Sequence, residues 1–77
     1  MSESVKTVNK FFREADKVSV NVLKAKMLLS DRQSIIFDMY YLRGNDVGFI
    51  ADSLCVSGIV INRELYKIRK KIMPLIE

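Results

Sequence analysis

Asn62, Arg63, Tyr66, Lys67 and Lys70 follow one another at spacings that gather them on one side of a helix, each with a group suited to nucleic acid. Asparagine pairs bidentately with the major-groove edge of adenine, and arginine does the same with guanine. Tyr66, Lys67 and Lys70, one and two turns further on, are placed to reach phosphates. Ser57 stands just before this stretch as a helix cap, and the free amides of a helix start also suit a phosphate. Gly58, Ile59 and Val60 fill the first turn, where the two branched side chains offer apolar contact to a thymine methyl. From residue 62 to 71 there are five basic residues (Arg63, Lys67, Arg69, Lys70, Lys71) against one acid, Glu64. A stripe of this kind matches a phosphate backbone, and it is also what a plain solvated helix face looks like.

Something must hold that helix in place, and the chain supplies short helices for it. Ser57 caps a helix predicted over 58–72, whose buried stripe is Ile61, Leu65, Ile68 and Ile72, spaced four, three and four, with Pro74 beyond its end. Before it, Asp46 caps a two-turn helix with Val47, Ile50, Ala51 and Leu54 on one face. The break Cys55-Val56-Ser57 joins the two, and small Ala51 lets the helices cross closely. Two helices with a three-residue break, the second longer and basic, make the pattern of a helix-turn-helix over 46–72. Such a motif lays the start of its second helix in the major groove.

Further upstream, Ser30 and Gln33 form a capping box for a helix predicted over 31–42, with Asp31 at its positive end and Gly44 free to take the positive φ that stops it. Residues 35–42 are apolar or aromatic nearly all round, and the first helix, through Val5, Val8 and Phe12, is the expected cover. That helix starts at Ser2 or Ser4 and runs to about Asp16. The alternating valines of 17–22 have no partner strand, so a short helix over 20–28 capped by Ser19 is expected instead. The fold class is therefore all-α, a small bundle of about five helices with the helix-turn-helix at its carboxyl end.

Seventy-seven residues make one domain, 49% hydrophobic and 29% charged, with 13 basic against 9 acidic side chains. No apolar run approaches the length of a membrane span, and no basic-then-apolar start marks a secretory signal, so a cytoplasmic protein is expected. With no histidine and a single cysteine, no metal or cofactor is expected, and Cys55 reads as a small packing residue. An enzyme is disfavoured: there is no phosphate-cradling glycine loop, no recognisable carboxylate pair and little interior for a pocket.

Together these residues resemble region 4 of bacterial sigma factors. The likeness lies in Leu29-Ser30-Asp31-Arg32-Gln33, Tyr41-Leu42-x-Gly44, Ile50-Ala51, Leu54, Val56-Ser57, and Ile61 with Leu65. It covers a little over half the chain. It implies a division into amino-terminal helices (1–28) packing on a region 4-like part (29–73), binding to double-stranded DNA, and contact with RNA polymerase. A free-standing domain of this kind fits a transcription regulator of phage or mobile-element origin, without the promoter-melting domain of a complete sigma factor. The related LuxR group shares an ending like Ile68-x-x-Lys71-Ile72, but here the extra helices precede the motif, as in region 4.

Three positions depart from that family. Cys55 stands where the turn usually has glycine, Val60 where threonine is usual, and Glu64 where a neutral or basic residue is more common. A cysteine there either carries positive-φ strain of roughly 1 kcal/mol or the turn is altered. With the sticky run Ile59-Val60-Ile61, these departures keep a second class open: an interaction module that retains the fold and binds a transcription protein. Homodimerisation, common among readers of two half-sites, is open in both.

Overall fold

A computed structural model of the chain describes residues 3–76, and among them there are five α-helices and no strand. The all-α expectation holds. By internal packing the described chain forms two compact units, one of residues up to Leu28 with those from Arg69 onward, the other Leu29–Ile68.

In the first unit, α1 spans Glu3–Glu14 and buries Val8, with Val5, Phe12 and Ala15 half-buried along the expected stripe. Phe11 and Phe12 meet edge to face, their ring centres 5.2 Å apart. The capping role expected of Ser2 lies outside the described residues, as does the side chain of Ser4. The helix stops short of Asp16 because Asp16 begins the next one.

Helix α2 is Lys17–Met27, and its start corrects the sequence expectation. Asp16, in extended conformation, accepts a hydrogen bond from the Ser19 amide at 2.7 Å, so Ser19 is the third residue of the helix and not its cap. The carboxylate is the stronger acceptor, and the earlier start sets Val20, Leu23 and Met27, spaced three and four, on the buried face. The valine alternation is thereby split, with Val18 left 71% exposed. Leu28 ends α2 in the left-handed region at φ 53°.

In the second unit, the capping box appears as expected. Ser30 Oγ accepts from the Gln33 amide at 3.2 Å, and the Gln33 side chain accepts from the Ser30 amide at 3.3 Å. The helix they open, α3, is regular only over Asp31–Phe37, after which Asp38–Leu42 widens into a π-helical turn. The Arg43 amide reaches back five residues to the Asp38 carbonyl at 3.0 Å. Wider winding spreads the apolar side chains: Ile36 and Phe37 are buried, Met39, Tyr40 and Tyr41 half-buried, Ile35 and Leu42 exposed. Tyr41 meets Phe37 at a tilt and Tyr40 edge to face, with ring centres 5.4 and 4.9 Å apart. Gly44, at φ 73°, makes the expected left-handed stop, and the Asn45 amide donates to the Met39 carbonyl at 2.9 Å.

Helix α4 is Val47–Leu54 and packs against the π-helical turn. Helix α5 is Gly58–Ile76 and runs through Pro74, where the sequence suggested an end near Ile72. Proline removes one helical bond, here to the Lys70 carbonyl, and in the last turn few bonds follow that it could disturb. The expected stripe of α5 is correct throughout: Ile61, Leu65, Ile68 and Ile72 are all buried.

Candidate nucleic-acid interface

The outward face of α5 depends on how α4 delivers the chain to it. Asp46 caps α4 by accepting from the Phe49 amide at 2.7 Å, and Ile50 and Ala51 bury the inner face, with Val47 and Leu54 half-buried. The helix ends on Cys55, whose backbone is left-handed at φ 57°, ψ 42°. Val56 donates to the Ala51 carbonyl at 3.0 Å, closing a Schellman-type turn. Of the two outcomes left open for Cys55, the turn keeps its left-handed geometry and the cysteine carries the strain. The thiol is exposed, which corrects its reading as a packing residue.

Ser57 then opens α5, its Oγ accepting from the Val60 amide at 3.4 Å. Burial of Ile61, Leu65 and Ile68 fixes the rotation of the helix, and the opposite side follows from it. Ile59 is 66% exposed and Tyr66 54%, with Asn62, Arg63 and Lys67 exposed beside them. These five side chains line one shallow, open concavity. Tyr66 thus lies outside the core. Gly58 and Val60 are half-buried; a Cβ on Gly58 would stand 3.7 Å from Val47 Cγ1. The run of three β-branched residues is split, with Ile61 wholly inside, Val60 between, and Ile59 out.

The charges on this face are fewer than the sequence count implied. Lys67 Nζ lies 3.6 Å from a Glu64 carboxylate oxygen, one turn back, so that pair is near neutral. Lys70 is exposed, but it and Arg69 fall in the other compact unit and are not part of this concavity. Lys71 is half-buried, and its Nζ donates to the Leu28 carbonyl at 3.5 Å, where a cation favours the negative end of α2. Arg63 is left as the cation beside Asn62 and Ile59. Among the described residues, no three histidine, cysteine, aspartate or glutamate side chains gather in a way that would hold a metal ion.

Phe49 is an exposed aromatic residue that sequence reasoning passed over. It is 54% exposed on α4, and its signal was present, since it falls off the Val47, Ile50, Ala51, Leu54 stripe. No family model matches the chain, and no curated protein or solved structure matches it either.

Proposed function

We propose that the protein is a small transcription regulator that binds duplex DNA, with α4 and α5 acting as a helix-turn-helix and the first turns of α5 entering the major groove, in the manner of an isolated sigma factor region 4. The observation that carries this reading is the face of Asn62, Arg63, Tyr66 and Lys67, all exposed on a Ser57-capped helix that follows a three-residue turn opened by left-handed Cys55. Asn62 and Arg63 take base edges; Tyr66 and Lys67 take phosphates. The capped start of α5, with Ser57 and Gly58, offers backbone amides to a phosphate. Lys70 adds general attraction to the backbone from further along the helix.

A second reading, binding of a transcription protein such as RNA polymerase, is favoured by the exposure of Phe49 and Ile59. Aromatic and aliphatic groups standing in water are what a protein interface covers. A mobility-shift titration with promoter duplex separates the two. The wild type is expected to shift the duplex, and Arg63→Ala with Lys67→Ala to weaken binding about tenfold or more. Unchanged DNA affinity in the double variant contradicts the DNA reading, and an undiminished capture of polymerase by that variant supports the second.

A further inference from the structure

We infer that Ile59 is a specificity-determining residue that reads the C5 methyl of a thymine, so that the recognised site holds a thymine next to the base pair met by Asn62 or Arg63. This rests on the DNA-binding reading above. Of three consecutive β-branched residues, the fold buries Ile61, half-buries Val60 and turns Ile59 out at 66% exposure. One apolar side chain therefore stands alone among hydrogen-bonding groups on the face that α5 presents. It lies in the first turn, the part of a recognition helix aimed at base edges.

Ile59 is three residues from Asn62 and four from Arg63, which sets neighbouring Cβ atoms about 5–6 Å apart on a helix surface. Successive base pairs rise about 3.4 Å, so the three side chains meet the same or adjacent pairs. In the major groove only thymine presents an apolar group, its methyl; the other bases present donors and acceptors alone. Isoleucine against those edges would strip their water and return no hydrogen bond, a penalty that a thymine methyl avoids. The same side chain thus attracts thymine and rejects the alternatives.

The test is selection from a randomised duplex pool, followed by replacement of each thymidine in the selected site by deoxyuridine, which removes the methyl and leaves pairing intact. The wild type is expected to lose about fourfold in affinity at one thymine, the worth of a methyl-sized group. Ile59→Val should keep that dependence, and Ile59→Ala should bind the two duplexes alike while retaining the wild-type helical spectrum. Binding that ignores every deoxyuridine, or a thymine dependence that survives in Ile59→Ala, overturns the inference. Binding with no enriched sequence overturns it while leaving DNA binding standing, whereas binding to no duplex at all removes both.

Discussion

Cys55 holds a left-handed backbone at φ 57°, and its exposed thiol has no packing to compensate. Strain of this kind costs about 1–2 kcal/mol, and glycine relieves it while giving back about 0.4–1 kcal/mol of extra freedom in the unfolded chain. Cys55→Gly should therefore raise stability by about 0.5–1 kcal/mol, read as a higher urea midpoint; an unchanged or lower midpoint would mean that the turn is not strained at this residue. This position was legible in the sequence because a turn pattern surrounds it. Leu28 takes the same geometry at φ 53° and is 85% exposed, yet no glycine, asparagine or turn dipeptide announces it. Its conformation belongs to the end of α2 at Met27, one residue before the end that spacing suggested. Lys71 was likewise counted as a free cation, because its carbonyl partner is 43 residues away and invisible to local spacing.

Among the elements, those with a single clear apolar stripe and an unambiguous cap were readable: α4 from Asp46, α5 from Ser57, and the start of α3 from its capping box. Where two caps competed, as Asp16 and Ser19 do, spacing alone did not choose. The π-helical turn was illegible for another reason, since residues 35–42, Asp38 apart, are apolar or aromatic nearly all round and carry little phase from which a change of winding could be read. The Asp16 cap makes its own prediction. Its carboxyl is held below the ordinary value of 3.8, chiefly by the Ser19 backbone amide and then by the Ser19 hydroxyl. A depressed carboxyl stabilises the fold at pH values above its unfolded pKa and ceases to do so as pH falls through the native one. The stability difference between wild type and Asp16→Asn should accordingly be constant near neutrality and shrink below pH 3.8, as followed by urea unfolding at a series of acid pH values. A difference that is the same in acid would show that the charge on Asp16 adds nothing to the cap.

At the scale of the whole molecule, the net charge of +4 and its uneven placement bear most on function. No helix among the described residues is long and apolar enough to cross a membrane. The sequence made the face of α5 legible through the position of its buried stripe, and the structure then sorted its cations. Arg63 stands clear, Lys67 is paired with Glu64, and Lys71 is tied to the end of α2. On the proposed reading, attraction to duplex DNA should for that reason be moderate and only modestly salt-dependent, with base contacts by Asn62, Arg63 and Ile59 supplying what selectivity there is.

The most direct measurement is the affinity of the wild-type chain for duplex DNA across a salt series. With two or three cations of α5 set against phosphates, log K should fall linearly with log salt at a slope of about −2 to −3. No binding even at low salt would contradict the account, and would leave the exposed face of α5 to a protein partner.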